Sequence, residues 1–378
     1  MFQVECIEDE ERFFSLKEEW DELRANALSP SFFLDHAWFA CCWPELRRRN
    51  EMRVFVVREE RKAIAIAPLV KRRISLRGLP VEQLSFMLHP ETQMVDILLR
   101  NSETNVDGLR VLLRYLLTER ASDWQLISLD KINPDSRSLY LLRRLAEFLS
   151  LRYESQSLLP APFIRLSGGW EAYLQSRSTR FRKTLRNVVN KIKRLGRVEV
   201  KRYGNEEDIP QGLQKLFSVS DASWKVANGI AITSNPERRV FFENLSCLSR
   251  GERGLQLWIL EVDGIPIATE TQIGDGRKVY ALRSDFDERY ADSSPGSYLQ
   301  MEILKELFKG PYEEYSFGVG NNDYKMRWTD EKLFLSKFQL YNQTLYGNFL
   351  SSIRALNAAS LRAESLRMVK RFFPWANS

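Results

Sequence analysis

The sequence predicts a mixed α/β (α+β) protein built from two copies of one unit, and three observations carry that reading. A length of 378 residues fits two domains, or one fold used twice, at roughly 100–200 residues per domain. Two segments, VFVVREERKAIA at 54–65 and LWILEVDGIPIA at 257–268, align without a gap at a separation of 203 residues. Each reads as apolar strand, charged turn, apolar strand, the pattern of a β-hairpin. The surroundings repeat in one order as well, with a helix before each hairpin and strand, helix and strand after it.

Ahead of the first hairpin, Phe13, Leu16, Trp20 and Leu23 recur at helical spacing. Asp35 reads as the N-cap of a helix over 37–42, which makes the adjacent His36 a structural residue. After the hairpin, Val106, Leu109, Leu112, Leu113 and Leu116 predict an amphipathic helix over 105–120, followed by a strand near 125–129. In the second copy Leu213, Leu216, Phe217, Ser220 and Trp224 predict the leading helix, and 279–283 a strand. Tyr298, Met301, Leu304, Leu307 and Phe308 predict a helix over 297–309, with a strand near 314–317. The expected division is 1–165 for the first unit, 166–205 for a connecting helix, 206–345 for the second unit and 346–378 for a helical tail.

The connecting segment is unusual in charge. Residues 177–202 hold eleven basic residues and one acid, Glu199, for a net of +10, whereas the whole chain is only +6. Basicity is therefore local. Phe181, Leu185, Val188, Val189, Ile192 and Leu195 form an apolar stripe through it, so one face of this helix is expected to be buried, with Gly196 as its stop. The tail, ending LRMVKRFFPW, reads as a helix docked on the second unit. A basic amphipathic helix in peripheral contact with a membrane gives the same pattern.

Composition removes several chemistries. At 44% hydrophobic and 28% charged residues the balance is that of a globular protein. The longest apolar run, 63–70, is strand-sized, far from the roughly 18 residues of a membrane span. An acidic N-terminus unlike a secretory signal, and four cysteines without disulfide spacing, point to the reduced cytoplasm. The two histidines, His36 and His89, form no ligand pattern, so no metal is expected. No nucleophile elbow and no P-loop is present, and Gly318-Val319-Gly320 begins a dinucleotide fingerprint that Asp323 breaks.

The second copy carries the better candidate site. Its strand at 279–283 leads through Asp285 and Asp287 to Arg289, Tyr290, Ser293, Ser294, Pro295, Gly296 and Ser297. A small-residue turn at a helix start exposes N–H groups at the positive end of the helix dipole, which suits a phosphate or pyrophosphate. A plain Ser/Pro/Gly cap has the same sequence. The first copy has NSETN at 101–105, which lacks glycine, carries an acid and makes a poorer cradle. Glu270 stands on the second strand of its hairpin beside Ile267, Ala268 and Thr269. Burial there would raise its pKa toward useful basicity, while a half-wet strand would leave it an exposed carboxylate. Tyr324 reads as a site residue or an aromatic core plug, flanked by Asp323 and Lys325, which would orient an acceptor, bind phosphate or form a surface ion pair.

These residues resemble a family. The motifs SPSFFL at 29–34 with Trp38 and Trp43, AIAPL at 65–69, WEAYL at 170–174 with FRKTLR at 181–186, and DGIPIATE at 263–270 are similar to the GNAT acyltransferases of the CelD/BcsL type. Asp285-Phe286-Asp287, Tyr290, Ser294-Pro295-Gly296, Asp323-Tyr324-Lys325 and Arg327-Trp328 continue the likeness, which spans roughly residues 10–340. That type is related to the FemAB transferases and has a duplicated GNAT fold with two mixed sheets flanked by helices. The resemblance implies transfer of an acetyl or longer acyl group from acyl-CoA to an amine, in a pathway of polysaccharide or envelope biosynthesis. It makes 289–297 the loop that holds the CoA pyrophosphate, although this loop has one glycine where the usual GNAT pattern has two. It implies Glu270 as general base and Tyr324 as the proton donor to the thiolate, with the first unit lacking cofactor. Two alternatives stay open: a FemAB-like transferase using aminoacyl-tRNA, whose phosphates the basic helix would contact, and a non-catalytic binding protein on the same fold.

Overall fold

The computed structural model describes residues 1–28, 31–76, 78–248 and 253–352. The first unit begins with β1 (Phe2–Ile7), α1 (Glu10–Ser15), α2 (Lys17–Ala25) and α3 (His36–Leu46). The helical spacing of Phe13 to Leu23 is real, but the run is broken at Leu16 into α1 and α2, and all four apolar residues are buried. Asp35 does occupy the N-cap of α3, yet its side chain caps nothing. Its Oδ1 instead pairs with Arg24 Nε at 2.7 Å. His36 is buried, with Nε2 3.0 Å from the Phe13 carbonyl, a structural role as expected.

The first hairpin is β2 (Glu51–Glu59) and β3 (Lys62–Leu76), turning on Glu60 and Arg61 with both φ angles positive. β4 (Leu79–Phe86), the short β5 (Leu98–Leu99), α4 (Asn105–Thr118), β6 (Leu126–Ile132), α5 (Arg137–Phe148) and β7 (Tyr153–Arg165) follow. Then come α6 (Gly169–Ser176) and the basic helix α7 (Thr179–Lys193), capped by Ser178. Leu185, Val188 and Ile192 of its stripe are buried, Phe181 and Val189 half-buried, and Leu195 lies exposed beyond its end.

The second unit runs β8 (Val198–Tyr203), α8 (Ile209–Asp221), α9 (Pro236–Ser246), β9 (Arg253–Val262), β10 (Ile265–Asp275) and β11 (Lys278–Phe286). It closes with α10 (Pro295–Leu307), β12 (Glu314–Ser316), α11 (Asp323–Met326) and β13 (Lys332–Tyr341). Trp224, expected on the leading helix, lies past the end of α8 and is exposed. The two hairpins recur as aligned, and both turn on two residues of positive φ, Asp263 and Gly264 in the second.

The sheets expected as two are one. Thirteen strands form a continuous mixed sheet in which the path runs β1-β2-β3-β4-β6-β13-β7-β12-β11-β10-β9-β8, with β5 pairing β3 to one side. β7 is the seam: its first part pairs with β13 and its last three residues, Phe163 to Arg165, pair with β12. β13, the last strand in sequence, lies between β6 and β7 and so completes the first unit rather than the second. A boundary at 165 thus falls at the end of a strand that both units share.

The core is continuous in the same way. One apolar cluster runs from the first unit through Leu216, Phe217, Phe241 and Leu257 under one face of the second. Another fills the opposite face, where α7 and α10 cover Leu260, Ile267 and Val279. Across the seam Trp38 meets Phe241 edge-on at 5.6 Å, a centroid spacing typical of favourable aromatic pairs, and the His89 ring stacks on Phe241 at 3.8 Å. Among the described residues, no helix is long and apolar enough to cross a membrane. The tail motif LRMVKRFFPW lies outside the described residues; the part before it, 345–352, is helical.

Candidate active site

β11 and β12 run parallel but pair over only three residues, ending at Tyr280 and Ser316, while β11 continues to Phe286. The sheet therefore parts at this point. Glu270 sits on β10 directly opposite Ser284 of β11 and Trp258 of β9. Its side chain is on the buried side of the question left open by the sequence, with 2% of its surface exposed.

The Glu270 carboxylate is held by three donors. Oε1 accepts from Gln272 Nε2 and from the Tyr315 hydroxyl, each at 2.6 Å, and Oε2 accepts from Ser284 Oγ at 3.2 Å. Gln272 is itself fixed by the Trp258 indole N–H at 3.0 Å. Desolvation raises the Glu270 pKa, and the three hydrogen bonds and the nearby Lys325 charge oppose it without cancelling it. Ser284 is exposed, so its hydroxyl links the buried carboxylate to the surface.

Tyr324 and Lys325 reach the same place from α11. Gln300 Nε2 donates to the Tyr315 oxygen at 3.0 Å, and Gln300 Oε1 accepts from the Tyr324 hydroxyl at 3.3 Å. Burial, with the Glu270 charge behind it, pushes the Tyr324 phenol well above its usual range and keeps it protonated. Lys325 is no surface ion pair. Its ammonium donates to the Gly318 and Val319 carbonyls at 3.1 and 2.9 Å, and burial lowers its pKa to about 8. Asp323 is exposed at the start of α11, with its backbone carbonyl accepting from Arg327. Gly318 has φ +76°, and a side chain there would strike Gln93 Oε1 at 2.5 Å, so the first unit closes directly on this loop. Gln93 Oε1 also accepts from Val319 N at 2.9 Å.

The loop before α10 is a turn of 3-10 helix, Glu288–Ser293, then Ser294 in the left-handed region at φ 54°. That conformation aims the Ser294 carbonyl into the helix, where it accepts from both Ser297 N at 3.0 Å and Tyr298 N at 3.2 Å. The row of free N–H groups expected at this helix start is thereby reduced. Pro295 has none, and among the described residues Gly296 N–H keeps no partner. The Gly296 α-carbon faces open space, since an added Cβ would meet only Phe286 at 4.0 Å. Arg289 is exposed and doubly bonded to Asp287, which holds the Asp287 carboxyl below its usual range. Tyr290 packs half-buried against the second cluster, and Lys191 of α7 donates to the Asp292 carbonyl at 2.8 Å.

Residues 179–326 match the sequence family described as an acetyltransferase (GNAT) domain. This stretch of the chain is therefore similar in sequence to GNAT acetyltransferase domains. No curated protein matches the sequence significantly. The whole fold is similar to that of FemX, at 13% identity and TM-score 0.57, over 90% of this chain and 98% of that one. It is also similar to the C-terminal domain of a putative lysylphosphatidylglycerol synthetase from Agrobacterium fabrum, at 12% identity and TM-score 0.53, over 91% and 97%. A protein of unknown function from Bacteroides thetaiotaomicron matches at 12% identity and TM-score 0.54, over 90% and 100%. At such identities the likeness is one of fold. The matched stretch spans the parted strands, Glu270, the loop before α10 and the whole of α11. Ser284, Gln272, Gln300 and Tyr315 of this site carry no sequence motif, and only strand register and helix packing bring them to Glu270.

Proposed function

We propose that this chain is an acyl-CoA-dependent N-acyltransferase that moves an acetyl or longer acyl group onto an amine acceptor. The observation that carries this reading is a buried carboxylate of raised pKa, reached from the surface through one hydroxyl, where the sheet of a GNAT domain parts. Ser284 Oγ takes a proton from the acceptor amine while its own proton passes to Glu270 Oε2. The nitrogen lone pair then attacks the thioester carbonyl, and the carbon–sulfur bond breaks. Tyr324, kept protonated by burial, gives its proton to the departing sulfur. Backbone N–H groups of β11 beyond Tyr280, free of a ladder partner on the β12 side, are the donors for the developing oxyanion. The loop through Arg289, Tyr290, Ser293, Ser294, Pro295, Gly296 and Ser297 holds the donor's pyrophosphate, with Gly296 allowing close approach.

The exposed cationic face of α7 favours a second reading, an aminoacyl-tRNA donor. Thermal unfolding separates the two. Acetyl-CoA or a long-chain acyl-CoA at 100 times its dissociation constant should add about 2.7 kcal/mol of stability. If no acyl-CoA shifts the transition and bulk tRNA gives a salt-sensitive gel shift, the RNA reading replaces the first. If acyl-CoA binds but no amine is acylated, the chain is a binding protein. A place in polysaccharide or envelope biosynthesis is supported by the CelD/BcsL resemblance alone, and the reduced cytoplasm by four cysteines without disulfide spacing.

A further inference from the structure

A cleft of about 890 Å³ lies between α7, the first turn of α10 and the segment just after α11. Its apolar lining comes from Phe181, Leu185, Val188, Met326 and Trp328, with Phe181 meeting Trp328 edge-on at 5.1 Å. Arg177, Arg180 and Arg327 line it as well, against a single acid, Asp330. Asp330 is already paired with Arg177 at 3.1 Å. Arg180 and Arg327 are exposed and form no ion pair with a carboxylate among the described residues, and Arg177 Nε is buried without a hydrogen-bond partner. Ser297 belongs both to this cleft and to the loop before α10, so the two are continuous.

An apolar cleft with unneutralised guanidinium groups suits a ligand that joins a flat apolar body to a phosphate. Its size is that of a small-molecule site, and it shares Ser297 with the loop that the acyl-CoA reading assigns to the pyrophosphate. We infer that this cleft receives the 3′-phosphoadenosine end of the donor, with Arg180 and Arg327 recognising the 3′-phosphate. The inference rests on the acyl-CoA reading and deepens it. It makes α7, which precedes the first strand of the second unit, a specificity element: the protein would select CoA thioesters over thioesters of pantetheine or dephospho-CoA.

Titration calorimetry of the full chain with CoA and with dephospho-CoA, which lacks only the 3′-phosphate, tests this. The wild type should bind CoA at least about tenfold more tightly, the effect of one hydrogen bond to a charged group. Arg180→Gln and Arg327→Gln are exposed substitutions. Each should weaken CoA by about tenfold and leave dephospho-CoA unchanged. Equal affinities for the two ligands in the wild type would overturn the inference while leaving the acyl-CoA reading in place. A preference for CoA that survives in both variants would move 3′-phosphate recognition elsewhere and overturn it too. Binding of neither ligand would remove the acyl-CoA reading itself, and this inference with it.

Discussion

Glu270 shows how far one carboxylate depends on its surroundings. Both oxygens are occupied, yet Glu270→Gln would be accommodated: a Gln Oε1 accepts from Gln272 and Tyr315, and its Nε2 donates to Ser284 Oγ. The variant should therefore fold and bind acyl donor nearly as the wild type does, while turnover falls by about 10²–10⁴. Steady-state rates across pH check this, because the deficit should shrink as pH approaches the acceptor amine's own pKa. Tyr324→Phe should lose rate without that rescue, since its proton serves the leaving sulfur. Full activity in Glu270→Gln would end its assignment as base, and a pH-independent loss would make it a positioning residue. The stability of the same variant has a sign of its own. A carboxyl whose folded pKa is raised favours folding below its unfolded value of 4.5, and that contribution is lost as pH rises through the raised value. The stability of Glu270→Gln relative to wild type should accordingly increase across that window, as denaturant titrations at several pH values would show.

At the scale of elements, the two copies differ in their turns and in their loops. The second hairpin turns on Asp263 and Gly264, residues that adopt positive φ at little cost, whereas the first puts Glu60 and Arg61 there at φ 48° and 70°. Replacing them by Asn-Gly should stabilise the protein by about 1 kcal/mol, measured as a shift in denaturant midpoint, because left-handed backbone costs most residues that much. An unchanged midpoint would mean that the turn carries no such strain. The loop before α10 should be sensitive to shape alone. Gly296→Val has room for its side chain in the fold but blocks backbone approach, so CoA affinity should be lost with the melting temperature retained. Bulky substitutions at Ser102 or Thr104, in the turn before α4, should leave CoA affinity untouched. A loss there would place the donor in the first unit.

The whole molecule is held together by strand exchange. β13 lies between β6 and β7, so a chain ending at residue 331 would leave both with unpaired edges and expose Ile127, Leu129 and Phe338's packing partners to water. That truncation should yield aggregated or non-cooperatively melting protein, while a chain ending at 352 should unfold in one transition. A well-folded 1–331 fragment would show that the units are independent. Because the loop at Gly318, which holds the Lys325 ammonium, closes on Gln93 of the first unit, any loosening of this seam should lower activity before it unfolds the second unit.

The sequence by itself determined the two hairpins, the helices that follow them and their repetition. Helices and hairpins are written in local periods, so Leu109 to Leu116, Tyr298 to Leu307 and both hairpins were legible at once, and so was the basic face of α7. It also placed Glu270, Tyr324 and Lys325 among the candidates, since their neighbours carry the motif. It could not decide whether Glu270 was buried, because alternation along a strand does not say which face is covered, and here α8 and α10 cover both. Nor did it reveal Ser284, Gln272 and Tyr315 as its partners. Those contacts depend on cross-strand register and on the parting of β11 from β12, which join residues up to 45 positions apart. The single sheet was hidden for the same reason. A strand's own pattern does not name its neighbours, and β13 pairs with β6 and β7, strands more than 160 residues away in the other unit.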